Sequence, residues 1–316
     1  MNRASSPTGW VRNPIMKSPE LDPGQASSYE LGWTFNPISG CLNWCPYCYA
    51  RRLANTRLRD RYLANKNVAG YDTYHPRRQE SALNDPFYPR FWEDKLFEPM
   101  RQRKTAKGIF TCDMSDLFGI GVPDLWTAHV ITTIRCCPQH RFYLLTKQSQ
   151  NLAKFSPFPE NAWVGATITS FDGCTKTLAN LEKIEASVKY LSIEPYLSQI
   201  PDWANLAITK TVDWIIIGAC TGMLSELKPL LLQYPDLFPM PLGKLDGGRW
   251  TLQPKIEWVQ EIVEAADKAG VKVFLKDNLS SVFVRDSKEA ELHTFQETFA
   301  WALNSESRLR QEMPHE

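Results

Sequence analysis

Three cysteines stand at C-x3-C-x2-C spacing in the stretch Cys41-Leu42-Asn43-Trp44-Cys45-Pro46-Tyr47-Cys48. Thiolates are soft ligands suited to iron–sulfur clusters. Cys41, Cys45 and Cys48 would bind three irons of a [4Fe-4S] cubane and leave the fourth open. An open iron can chelate a small molecule and pass it an electron. A structural zinc site closes with a fourth Cys or His; no His lies in this loop, and the nearest in sequence is His75. The open-cluster reading therefore fits the spacing better than a zinc or structural thiol loop.

The elements that must position this loop follow from hydropathy. An apolar and aromatic run, Leu31 to Phe35, leads into it through the turn-rich Asn36-Pro37-Ile38-Ser39-Gly40. A helix is expected over 49–66, then an inserted loop over about 67–88, then helical character from Pro89 to Arg103. Apolar, β-prone runs recur at Gly108–Cys112, Arg141–Leu145, Ala162–Ala166, Tyr190–Ile193, Val212–Gly218 and Val271–Leu275. Helices are expected from Pro123 to about Cys136, after a cap at Asp172, and from Pro254 to Gly270. Such β-α alternation implies an α/β fold, a parallel (β/α) barrel or partial barrel of about six to seven strands. Each run turns polar at its last residues: Asp113, Ser115 and Asp116; Lys147; Thr167 and Thr169; Glu194; Cys220; Lys276. Active sites of such folds lie at the C-terminal strand ends.

Composition sets the limits. At 316 residues and 43% hydrophobic the chain can bury a large core, and no apolar run has membrane length. Residues 1–28 are polar and Pro/Ser/Gly-punctuated, without the apolar stretch of a secretory signal, and read as a loose arm. Residues 29–285 read as one barrel domain and 286–316 as a helical extension with a polar tail. Three of the eight cysteines are clustered and five scattered, which with no secretory signal points to a reduced, cytoplasmic setting. Cys136, Cys137 and Cys174 fall in helices and read as structural. The net charge is only +1, but residues 51–107 carry fourteen Lys/Arg against seven Asp/Glu. Tyr62, Tyr71, Tyr74, Phe87, Tyr88, Phe91 and Trp92 interleave them. Basic residues with stacking rings suit a polynucleotide, while a solvated helix face carries the same composition.

The cysteine spacing with an aromatic at Tyr47 is the pattern of the radical S-adenosylmethionine (SAM) superfamily. The segments WTFNPISGC, CYA, CDMSDLFG, FYLLTK, WVGATIT, LSIEPYL, DWIIIGACTG and VFLKDN, between about residues 31 and 278, resemble the phage Gp37/Gp68-like family. That group is similar to spore photoproduct lyase and its DNA-photolyase-like relatives. The resemblance implies a radical-SAM-type partial barrel, a [4Fe-4S] cluster on Cys41, Cys45 and Cys48, and SAM. It places Tyr47 near the SAM adenine and implies SAM contacts for Ser115 and Lys147, the latter to the carboxylate. Thr167 or Thr169 would meet the ribose or amino group, and Glu194 the ribose or the substrate. Cys112 or Cys220 would give a hydrogen atom to a product radical; the plainer reading of a free cysteine is a small buried hydrophobe. The expected activity is reductive SAM cleavage to a 5′-deoxyadenosyl radical acting on an unidentified substrate, a nucleic acid or nucleobase being favoured. A reductant such as flavodoxin or ferredoxin would be the partner. The rival is a non-catalytic metal- or iron–sulfur-binding nucleic-acid module using residues 51–107.

Overall fold

The structure is a computed structural model, and it describes residues 1–3, 32–70, 76–101, 105–241, 249–280, 299–304 and 309–314. Its strands are β1 (Asn2–Arg3), β2 (Trp33–Phe35), β3 (Ile38–Ser39), β4 (Arg90–Phe91), β5 (Gly108–Thr111), β6 (Arg141–Thr146), β7 (Ala162–Ile168), β8 (Val188–Ile193), β9 (Trp214–Ile217), β10 (Cys220–Met223), β11 (Phe238–Pro241), β12 (Arg249–Gln253) and β13 (Lys272–Leu275). Its helices are α1 (Tyr49–Asn55), α2 (Arg59–Ala64), α3 (Pro76–Asn84), α4 (Asp124–Arg135), α5 (Cys174–Glu182), α6 (Asp202–Thr211), α7 (Leu224–Gln233) and α8 (Ile256–Ala269).

The main sheet has the order β1-β2-β5-β6-β7-β8-β9-β13. The pairs β2–β5, β5–β6, β8–β9 and β9–β13 run parallel, while β1 is antiparallel to β2. Strands alternate with helices along the chain, so the fold is α/β. The seven strands from β2 to β13 match the expected six to seven.

The chain divides into two compact units, residues 1–165 with 184–187, and residues 166–183 with 188–316. In the first, β5 and β6 bury Ile109, Phe142 and Leu144, and α4 turns Val130, Ile131 and Ile134 inward. In the second, β9 is buried along all of Trp214–Ile217. Helix α8 covers its core with Trp258, Val259, Ile262, Val263 and Ala266, spaced for one helical face, and stops at Gly270 in the left-handed region (φ +72°).

Several local expectations differ from what forms. The helix expected over 49–66 is broken between α1 and α2, where Thr56 and Leu58 both donate backbone N–H groups to the Leu53 carbonyl. The insertion expected as a loop contains α3. The expected helix after Pro89 is instead strand β4, paired antiparallel with β3, followed by 3-10 turns at Glu93–Lys95 and Pro99–Arg101. Here tertiary pairing outweighs local propensity. Gly173, not Asp172, stands before α5, at φ +82°. The long connection after β9 holds α7 and a three-stranded antiparallel sheet of order β10-β12-β11. Most of the expected arm and residues 286–298 of the expected extension lie outside the described residues. No helix among the described residues is long and apolar enough to cross a membrane.

Candidate cluster-binding loop

The backbone entering the cysteine loop is pinned from two sides. Gly40 N–H donates to Met114 O (2.9 Å), Cys41 N–H to Phe87 O (2.9 Å), and the Ser115 hydroxyl to Gly40 O (2.6 Å). Gly40 sits at φ +87°, and a Cβ there would lie 2.3 Å from Tyr88 O, so only glycine fits. Trp44, between the first two cysteines, also has positive φ (+53°) and is 68% exposed. The loop ends at Cys48, the N-cap of α1, whose Sγ accepts from Arg51 N–H at 3.4 Å. Cys41 Sγ accepts from Asn43 N–H at 3.4 Å.

Arg51 staples this turn. Its Nη2 donates to Cys41 O (2.9 Å), its guanidinium lies 3.8 Å from the Trp44 ring centre and 4.9 Å from that of Phe87, and Asp85 is 3.8 Å away. The three thiols are free and half-buried. Burial, then the Asp116 charge, pushes the Cys41 thiol up to about 12, and burial also raises Cys48. Thiols so placed hold their protons until a cation takes their place. Among the described residues no three His, Cys, Asp or Glu side chains converge on a point for one metal ion. A cubane asks each thiolate for a separate iron. Three half-buried thiols on one short loop, two with backbone N–H groups aimed at sulfur, fit that group.

Two carboxylates flank the loop. Asp113 accepts from Asn36 Nδ2 and, at 3.4 Å, from the Tyr49 hydroxyl; burial raises its carboxyl. Asp116 is buried and accepts from the Thr146 hydroxyl (2.6 Å), Lys147 N–H (3.0 Å), Phe118 N–H (3.1 Å) and Asn43 Nδ2 (3.1 Å). Burial raises it too, against those four bonds.

Of the residues singled out in the sequence, Cys41, Cys45, Cys48, Tyr47, Ser115, Lys147 and Cys112 belong to the first unit. Lys147 Nζ lies 5.6 Å from the Tyr47 ring centre, so these two are brought together. The Ser115 hydroxyl is spent on the Gly40 carbonyl. Cys112 is buried at the end of β5, in a left-handed conformation (φ +64°), with its N–H on Phe35 O (2.8 Å); burial raises its thiol. A cleft of about 290 Å³ lined by Phe118, Gly121, Asn151 and Phe155 contains none of them.

Thr167, Thr169, Glu194 and Cys220 belong to the second unit. There Glu194 is ion-paired with the buried Lys276, so the carboxylate is engaged by the protein itself. Gly218 packs against that pair, and Asn278 brackets Ala219 through both its N–H (3.1 Å) and its carbonyl (2.8 Å). Cys220 is buried in β10, and the half-buried Thr169 offers its carbonyl to Leu197 N–H (2.8 Å). Residue types alone marked Asp116 only as a polar strand-end residue and gave no role to Asn43, Gln148 or Arg51. The available signal was polar residues between the cysteines and past two strand ends.

The basic segment divides on folding. Arg90 is fully buried and donates to the carbonyls of Tyr62, Ala82, Leu83 and Asp85. Tyr62, Phe87 and Phe91 are core residues, which removes these rings from the expected stacking surface. Tyr71 and Tyr74 lie outside the described residues. Arg57, Arg59, Arg61 and Lys66 remain exposed.

Among solved structures the chain is similar to spore photoproduct lyase complexed with dinucleoside spore photoproduct, at 13% identity over 83% of this chain and 80% of that one, with a TM-score of 0.48. It is also similar to a double mutant of spore photoproduct lyase with bound AdoMet and dinucleoside spore photoproduct, at 14% identity over 81% and 78%, with a TM-score of 0.47. No curated protein matches it. The family model described as "Protein of unknown function (DUF5131)" matches residues 30–229, from the approach to the cysteine loop into α7, and the chain belongs to that family.

Proposed function

We propose that this chain is a radical SAM enzyme in which Cys41, Cys45 and Cys48 hold three irons of a [4Fe-4S] cluster. The observation that carries the reading is the built loop: three free, half-buried thiols between a pinned Gly40 and the start of α1, with Tyr47 and Lys147 facing each other beside them. When bound, the cluster and SAM supply the one-electron cleavage that yields a 5′-deoxyadenosyl radical. The residues of the chain bind and orient. The Lys147 ammonium suits the methionine carboxylate, and the half-buried Tyr47 ring offers an apolar face to the adenine. Ser115 holds the loop through Gly40 and keeps lone pairs that can accept a hydrogen bond. Cys112 would return a hydrogen atom rather than take part in ionic chemistry, a reading supported by burial, which keeps its thiol protonated. A low-potential flavodoxin or ferredoxin would reduce the cluster.

The exposed Arg57, Arg59, Arg61 and Lys66 favour a nucleic acid as substrate. The same four residues support the rival, an iron–sulfur module that binds nucleic acid without turnover.

The test is anaerobic reconstitution with iron and sulfide, reduction in the presence of SAM, and chromatography for 5′-deoxyadenosine, with and without DNA or RNA. The wild-type chain is expected to release 5′-deoxyadenosine and Cys45→Ala to lose both cluster absorbance and product. Product from Cys45→Ala would falsify the assignment. Salt-dependent nucleic-acid binding with intact cluster and untouched SAM selects the rival.

A further inference from the structure

We propose that Asp116 and Asn43 are positioning residues that lock the cysteine loop in register with the strand end carrying Lys147. The inference rests on the reading of that loop as the cluster site. Neither residue is a catalytic residue; both act through the groups they hold.

The Asp116 carboxylate is 6% exposed, and each oxygen takes two donors. Oδ1 accepts from the Thr146 hydroxyl and Phe118 N–H; Oδ2 accepts from Lys147 N–H and Asn43 Nδ2. Asn43 lies between Cys41 and Cys45, and its own carbonyl oxygen accepts from Gln148 Nε2 at 2.6 Å. Both ends of the Asn43 amide are thus engaged by groups outside its loop. Thr146, Lys147 and Gln148 are consecutive at the end of β6, and all three converge on this pair; Gln148 N–H also donates to Thr146 Oγ1 at 2.9 Å.

The bonds close a ring. Asn43 ties the loop to Asp116, Asp116 holds the Lys147 backbone, and the Lys147 side chain returns to Tyr47 in the same loop, at 5.6 Å. Tyr47 and Lys147 approach each other from separate segments, and Asp116 is the group both segments share. A carboxylate suits this task better than an amide. Four donors face it, and each of its oxygens meets a backbone N–H, so an amide nitrogen on either side would oppose one of them. A carboxylate so far from water stays favourable only while its acceptor sites are filled. Occupied on all sides, it is not a spare metal ligand.

The test uses the metal-free full-length chain and hydrogen exchange. Asn43→Asp is nearly isosteric, so a bystander position would tolerate it; here it sets a second carboxylate against Asp116. Amide exchange from Cys41 to Cys48 is expected to rise about ten- to hundredfold, while α4 keeps its protection. Asn43→Ala removes the link without the repulsion and is expected to raise exchange less. Combining Asn43→Asp with Asp116→Asn restores a donor–acceptor pair and keeps the Gln148 contact, but sets the new amide nitrogen against Lys147 N–H, and is expected to recover part of the protection. After reconstitution, iron release to a chelator should follow the same order, fastest for Asn43→Asp. The proposal is overturned if Asn43→Asp exchanges like wild type, or if Asn43→Ala exchanges as fast as or faster than Asn43→Asp. It is also overturned if a folded double variant is no better protected than the single one. Where the double variant does not fold, the order of the two single variants decides. Exchange in the metal-free chain does not depend on cluster chemistry. A chain that shows the expected order yet takes up no iron keeps the clamp and loses the proposed function.

Discussion

Lys276 is 4% exposed and pairs with Glu194 beside Gly218, the first residue after β9. A charge this deep is tolerated because its partner carboxylate takes the place of water. Gly218 provides the room: a Cβ there would stand 2.9 Å from Lys276 Cδ and 3.1 Å from Glu194 Oε1. Gly218→Ala must therefore push the lysine stem or spread the pair. It is expected to cost about 1–3 kcal/mol of stability, the range for overpacking a close-packed site, measured as a lowered denaturation midpoint. Because the three residues touch, Gly218→Ala and Glu194→Gln should be non-additive, the double variant losing less than the sum. Additive losses would mean that the alanine methyl group is accommodated without disturbing the pair.

At the scale of elements, what could be read in the sequence was whatever repeats or clusters. Trp214–Ile217 and Lys272–Leu275 are almost wholly apolar and become buried strands, and α8 shows its stripe plainly. Helix α6 shows none, because it buries Asn205, Thr209 and Thr211 while leaving Trp203 and Leu206 exposed. The β10-β12-β11 sheet contains Gly222, Pro239 and Pro241, residues that mark turns more often than strands. In the site, the cysteine spacing was legible within eight residues, whereas the Asn43–Asp116 bond spans a sequence separation of 73 and only folding brings it together. Cys48 belongs to both levels, since it is a candidate ligand and the N-cap of α1. Serine caps helices well and alanine does not. Cys48→Ser should therefore keep the stability of the metal-free chain, while Cys48→Ala should lose about 0.5–2 kcal/mol. Both should take up less iron than wild type on reconstitution. Thermal denaturation of the metal-free proteins separates cap from ligand; equal stability of the two variants would show that the thiol cap contributes nothing.

The whole molecule shares one electrostatic tendency: its buried acids of high pKa are held neutral. Burial raises the thiols of Cys41, Cys48, Cys112, Cys137 and Cys174 above the ordinary value of 9.0. It raises Tyr62 from 10.0 to about 12, with the Asp113 charge adding to the shift and Arg61 and Ser39 opposing it. Tyr196 is raised in the same direction by its own burial. The sign follows from proton counting. Between the unfolded and folded values the native chain binds more protons than the unfolded one, so stability falls as pH rises. The contribution is whole below the unfolded value and is lost through the folded one. The thiols thus begin an alkaline decline near pH 9, and Tyr62 adds to it from pH 10 to about pH 12. Within that window one tyrosine contributes up to about 1.4 kcal/mol per pH unit. Tyr62→Phe deletes the ionisable group at the cost of the contact to Ser39, so its stability should be somewhat lower near neutrality. Its decline above pH 10 should be shallower, and the two curves should converge as pH approaches 12. Urea midpoints of both proteins across this range measure the difference. Parallel curves above pH 10 would mean that Tyr62 ionises as readily in the folded chain as in the unfolded one, and that the buried thiols and Tyr196 alone set the alkaline limit.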